Sequence, residues 1–228
     1  MKIIAFRACL TSAKPVFFLI LAGLIAGCSA LPEPPPRATV YDFGSGPVPA
    51  SQIAQVAQVA QDATLPPLIL LDMGRNGAPE GSAALHYRLA YANDQQLLPY
   101  THARWSQPPA ALLQQSLRER LARQRIVLTG QEAATMQPDK GRLPGVLRVQ
   151  LEEFSQVFDS AESSVGLVRV RAMLSDAATA GETIVAQQVF VARVPATTAD
   201  AAGGARALAA ASAQLADELA DWVRRQGR

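Results

Sequence analysis

Val146-Leu147-Arg148-Val149-Gln150-Leu151-Glu152-Glu153-Phe154-Ser155-Gln156-Val157-Phe158 is the stretch on which the fold turns. Leu147, Val149 and Leu151 alternate with polar neighbours, the period-two pattern of a strand with one buried face. The phase breaks at Phe154, as a β-bulge would require. Two further runs follow, Ser164 to Leu174 and Thr183 to Val194. In the first of them Val168, Val170, Ala172 and Leu174 share a face opposite Arg169, Arg171 and Met173. Turns at Asp159 to Ser163 and at Ser175 to Gly181 separate the runs, so the spacing predicts an antiparallel meander.

Upstream, Leu85, Tyr87, Leu89 and Tyr91 alternate, Asn93-Asp94 makes a turn, and Gln96-Leu97-Leu98-Pro99-Tyr100 returns, which predicts a β-hairpin. Pro108 and Pro109 suit a first helical turn. Leu113, Leu117 and Leu121 then recur every four residues with Arg118, Arg120 and Arg123 outside, which predicts an amphipathic helix reaching Gln124. Shorter strands are expected at Thr39 to Phe43, at Leu68 to Met73 and at Arg125 to Thr129, with a loop at Gly74 to Gly81. From Ala50 to Ala63, Ile53, Val56 and Val59 recur every three residues between Ala and Gln. That period drifts around a helix and makes a poor core face, so an exposed turn or an insertion is expected there. The chain ends in an Ala-rich helix from about Asp200 to Arg225 with Leu208, Leu215, Leu219 and Trp222 on one stripe. The fold class is therefore α/β: a layered mixed β-sheet, partly an antiparallel meander, flanked by two principal helices in one domain over 39–226.

The N-terminus reads differently. Lys2, Arg7 and Lys14 precede an apolar run from Val16 to Ala26, the pattern of a secretory signal over 1–27. That run is too short for a transmembrane helix, which needs roughly 20 apolar residues. It ends in Leu24-Ile25-Ala26-Gly27-Cys28, which matches the lipobox of bacterial lipoproteins. The match implies cleavage before Cys28 and a covalent diacylglycerol and N-acyl lipid on that cysteine, which would hold the chain on a membrane. Cys9 lies within the signal, so Cys28 is the one thiol expected after cleavage and no intramolecular disulfide can form. Ser29 follows it; in the lipoproteins this resembles, an Asp there would argue for retention at the inner membrane, so an outer-membrane anchor facing the periplasm is expected. Leu31-Pro32-Glu33-Pro34-Pro35-Pro36 then forms an extended tether within 28–38.

Removing Lys2, Arg7 and Lys14 from the 21 basic residues leaves 18 against 19 acids, a net charge of −1. A nucleic-acid partner loses its electrostatic basis, since such binding neutralises phosphates. Catalytic signatures are also missing. His86 and His102 are the only histidines, too few for a His/Cys metal cluster. The chain has no G-x-S-x-G elbow, no P-loop and no G-x-G-x-x-G after a strand. Glu152 and Glu153 are strand neighbours that point to opposite faces unless a bulge intervenes; solvated positions are expected for them and for Asp217-Glu218. His86 reads as an exposed neighbour of Arg88. No catalytic residue, cofactor or metal is expected.

The order of features is more specific than any one of them. A lipobox precedes Tyr87-Arg88, Pro99-Tyr100, Arg104-Trp105 and Pro108-Pro109, which runs into Leu112-Leu113-Gln114-Gln115 and Leu117-Arg118; a Val149 to Phe158 strand and an Ala-rich helix closing on Trp222 complete the set. This order resembles the ABC-type transport auxiliary lipoprotein family, which includes the paraquat-inducible lipoprotein C, over roughly Tyr41 to Val223. The resemblance implies an α/β/α-like layered fold and a role beside an ABC transporter whose partner is an MCE (mammalian cell entry) domain protein. Such systems are thought to move phospholipid between inner and outer membranes. A phospholipid ligand and a homo-oligomer are left open, and two other readings stand beside this one: an envelope-assembly lipoprotein of the lipopolysaccharide-transport type, and a lipid-binding periplasmic module. Tyr87, Arg88, Tyr100, Arg104 and Trp105 are candidate partner-binding residues, because Tyr, Trp and Arg are enriched at binding hot spots. The alternative is internal: Tyr87, Tyr91 and Tyr100 pack the hairpin on the helix, and Arg88 pairs with an acid such as Asp94.

Overall fold

The computed structural model describes residues 37–44, 65–71, 74–75, 82–135, 143–178 and 181–227. The chain divides into two units, Met1–Arg37 and Ala38–Arg228. The signal at 1–27, Cys28, the proline run, the patch at 50–63 and most of the loop at 74–81 lie outside the described residues.

The long strand β7 (Gly145–Phe158) is the axis of the second unit. β8 (Ser164–Ala178) pairs antiparallel along its whole length, and β9 (Gly181–Pro195) pairs antiparallel with β8. This is the expected meander, each strand a little longer than its hydrophobic pattern. The other edge of β7 is shared end to end by three parallel strands. β2 (Leu68–Leu70) takes Gly145 to Leu147, β3 (Gly74–Arg75) takes Gln150 and Leu151, and β4 (Ala84–Leu89) takes Gln156 to Phe158. β4 pairs antiparallel with β5 (Asn93–Trp105) as the predicted hairpin, β1 (Thr39–Tyr41) runs parallel to β5, and β6 (Val127–Leu128) runs parallel to β2. The result is one mixed sheet of nine strands among the described residues.

The helices are α1 (Pro109–Leu121), the short α2 (Gly130–Ala133) and α3 (Ala201–Arg225). Leu113, Leu117 and Leu121 of α1 are buried, as are Leu208, Leu215, Leu219 and Trp222 of α3, in one core with Val168, Val170, Ala172, Leu174, Phe190 and Ala192 of the sheet. Trp222 meets Phe190 edge to face at 5.7 Å. α1 and α3 touch each other through this core and through an Arg120–Asp217 ion pair, so they cover the same face. α1 and α3 lie on one face of the sheet; the opposite face carries neither of them and is open at β8 and β9, while Ile69, Val146, Ser155 and Val157 on that side are buried.

Small residues set how closely α3 approaches. A Cβ at Gly166 of β8 would lie 2.6 Å from the backbone of Ala207, so sheet and helix meet main chain to main chain there. α3 is capped by Asp200, whose Oδ1 accepts from the Gly203 N–H at 2.7 Å. α2 carries a capping box, Thr129 with Glu132, which the hydrophobic pattern did not reveal.

Candidate functional site: the hairpin and the open sheet face

Register decides which way each side chain of the hairpin points. Tyr87 pairs with Gln156 and Gln156 with Gly166, on the face under α3; Arg88 pairs with Val157 and Val157 with Val165, on the open face. The phase break at Phe154 is a bulge between Leu151 and Glu153. Leu151 lies opposite core Val170 and Glu153 opposite exposed Arg169, so Glu152 is the extra residue. The bulge brings both carboxylates to the open side, each with its own cations. Glu152 takes Arg169 at 3.2 Å and Arg171 at 2.8 Å, and Glu153 takes Arg88 at 3.0 Å. The two acids are therefore partly buried ion-pair partners, not solvated side chains; the adjacent pair Asp217 and Glu218 is exposed as expected.

Arg88 ties the hairpin together. Its Nε and Nη2 donate to the two carboxylate oxygens of Glu153 at 3.3 and 3.0 Å, a forked geometry that fixes the guanidinium plane. Nη1 donates to the main-chain carbonyl of Asp94 at 3.3 Å. The acid expected to pair with Arg88 was Asp94; the carboxylate comes instead from Glu153, and Asp94 supplies only its backbone. His86 lies half-buried on the same face, and burial pushes its imidazole below the ordinary value, partly offset by the Glu153 carboxylate. It is more enclosed than an exposed neighbour of Arg88 would be.

Tyr87 and Tyr100 form a tilted pair at 4.6 Å under the helix layer. The Tyr100 hydroxyl donates to Gln156 Oε1 at 2.8 Å, and Gln156 Nε2 donates to Ser164 Oγ at 2.7 Å. Burial, then the neighbouring Tyr87, pushes the Tyr100 hydroxyl up to about 12. A Cβ at Gly204 of α3 would overlap the Gln156 amide, so the first turn of the helix closes over this network only because position 204 is glycine. Tyr91 takes no part in the packing: it sits exposed in the turn.

Trp105 is 1% exposed. It meets Phe43 edge to face at 5.5 Å and Phe154 at 5.5 Å, and its Nε1 has no hydrogen-bond partner among the described residues. Its place is therefore in the interior, where the ring contacts offset an unsatisfied donor costing about 1–3 kcal/mol. Register shifts along β4 and β5 bring Arg104 opposite Ala84 and, through β1, beside exposed Val40. Of the five sequence candidates, Arg104 is exposed, Arg88 is partly exposed within its ion pair, Tyr87 and Tyr100 pack under the helices, and Trp105 is buried. The open face adds residues that the aromatic pattern did not single out: Arg169, Arg171 and Arg193 with Val189 and Val191, and the Arg148–Glu182 pair, in which Ser175 also donates to Glu182 at 2.8 Å. The outward arginines of β8 were legible as the polar half of its alternation.

No group of His, Cys, Asp and Glu suited to a metal is found among the described residues, and no helix among them is long and apolar enough to cross a membrane. A family model for the ABC-type transport auxiliary lipoprotein component matches residues 83–220. No curated protein matches the chain. Among solved structures, a protein from Xanthomonas campestris is similar at 18% identity and a TM-score of 0.59, covering 72% of this chain and 87% of its own. An uncharacterized protein is similar at 12% identity and a TM-score of 0.52, covering 82% of this chain and 99% of its own. At such identities the likeness concerns the fold alone.

Proposed function

From the premise that this chain belongs to the ABC-type transport auxiliary lipoprotein component family, we propose that it is the membrane-anchored, non-catalytic subunit of an MCE/ABC-type system moving phospholipid between the two membranes. Cys28 carries the diacylglycerol and N-acyl groups, Ser29 directs the lipoprotein to the outer membrane, and the proline run spaces the domain from the bilayer on its periplasmic side. The domain docks on the MCE-domain protein. The observation that carries this reading is the joining of a family domain at 83–220 to a lipobox ending in Cys28.

The docking surface is the open sheet face around Arg104, since the opposite face is spent on the helices. Arg88 serves there as a positioning residue, holding the hairpin to β7 through Glu153. The chain is to be captured from detergent-extracted membranes together with the MCE protein encoded beside it. Co-purification is expected, and Arg104→Glu should weaken it at least tenfold with the melting temperature unchanged. No binding at micromolar concentration removes the docking reading. Fatty-acid labelling should mark the chain and fail on Cys28→Ala; a labelled Cys28→Ala chain removes the anchor.

A further inference from the structure

β9 ends the sheet. Among the described residues it is hydrogen-bonded to β8 alone, so its outer edge carries backbone N–H and C=O groups at alternate residues with no strand opposite. Monomeric proteins blunt such an edge with lysine, proline or a charge. The run from Thr183 to Ala192 has none of these. Within it Ile184 is 63% exposed and Val191 48%, with Val185 and Val189 exposed between them.

The strand is also complementary to itself. Its two charged residues stand near its ends, Glu182 at the start and Arg193 at the finish. Between them the register slips once: Leu174 pairs with Ala186 but Ser175 with Ile184, which makes Val185 an extra residue. Because of that slip, Glu182, Ile184, Gln187, Val189, Val191 and Arg193 all lie on the open face. An antiparallel copy centred on Gln188 sets Glu182 against Arg193 of the partner subunit, Ile184 against Val191 of the partner subunit and Gln187 against Val189 of the partner subunit. The extra residue is what sets these pairs opposite each other; without it Glu182 would face Val194 of the partner subunit and Ile184 would face Ala192 of the partner subunit. Opposite charges meet at both ends and branched apolar side chains meet between, the pairings that favour a sheet.

We propose that the free edge of β9 pairs with β9 of a second copy of this chain about a twofold axis at Gln188, joining two sheets into one. The pairing is independent of the transport reading and uses an edge, leaving the face around Arg104 open. The mature chain in mild detergent should scatter light as twice its mass. Mild oxidation should link Gln188→Cys chains above the wild-type background, because directly opposed strand positions fall within disulfide reach, and should leave Gln214→Cys, exposed on α3, unlinked. Ile184→Lys with Val191→Lys should halve the mass and keep the circular dichroism and melting temperature of the parent, since both side chains are solvent-facing. A wild-type chain of single mass overturns the proposal, including the case where the mass rises only after another protein is added to occupy the edge. So does a dimer that survives the double substitution, or equal linking at Gln214→Cys.

Discussion

The two faces of the sheet are built from opposite materials. Under α1 and α3, Val168, Val170, Ala172, Leu174, Phe190 and Ala192 present no charge, and each fully buried Leu or Val in such a layer contributes about 1.5–3 kcal/mol. Across the same strands, one residue away, Arg169 and Arg171 share Glu152 and Arg148 holds Glu182. With every arginine of these pairs more than a third exposed, water screens them to about 0–1 kcal/mol each. One backbone thus carries its cohesion on one side and, on the other, a surface that can be altered without unfolding the chain.

The contrast breaks most severely if the covered face is emptied. Trp222→Ala should cost about 3–5 kcal/mol, read as a lower denaturant midpoint, because the cavity beside Phe190 cannot collapse onto a rigid sheet. Gly204→Ala comes next, at about 1–3 kcal/mol, as the new methyl displaces the Gln156 amide from Tyr100 and Ser164. The double variant Gly204→Ala with Gln156→Ala should lose less than the two separate losses added together, and strict additivity would show that the clash lies elsewhere.

Glu153→Ala sharpens the comparison, since it tests the most enclosed ion pair of the open face. The loss should be about 2 kcal/mol, larger than for any exposed pair, because Arg88 is left without its carboxylate. The smallest effect belongs to Glu182. Hydrogen bonds from Arg148 and Ser175 hold its carboxyl at about 2, below the ordinary 4.5. A depressed folded value means the stabilisation is complete above about pH 4.5 and is lost as pH falls through about 2. At this exposed position screening by water keeps it to about 1 kcal/mol or less. Urea midpoints measured between those limits should fall more steeply for the parent than for Glu182→Gln, and parallel curves would contradict the assignment.

Legibility in the sequence followed contact distance along the chain. The meander, the hairpin and both long helices were readable because each is specified by a run with one period and a turn of a few residues. Even the bulge was visible, as Phe154 falling out of step. The parallel partners of β7 were not, because Leu68, Gly74 and Tyr87 reach it from positions that no local pattern relates to it. Arg88 shows the same limit: the expected partner Asp94 is near in sequence, whereas Glu153 lies 65 residues on and is delivered by the β4–β7 register. Trp105 has the composition of a hot spot, but its burial depends on Phe43 and Phe154 arriving from two other strands.

What the sequence determined by itself was periodicity: which residues alternate, which recur at helical spacing, where prolines open α1 and roughly where the Ala-rich helix begins. Those properties are set by the dihedral preferences and side-chain chemistry of neighbours. Only the tertiary structure decided that both helices lie on one face, that Glu152 and Glu153 share the other, and that β9 is left at an edge. Sheet order and sidedness arise from hydrogen bonds and packing between segments far apart in the chain, and a polar residue at a given period is the same letter whether its partner is water, an arginine across the sheet or another protein.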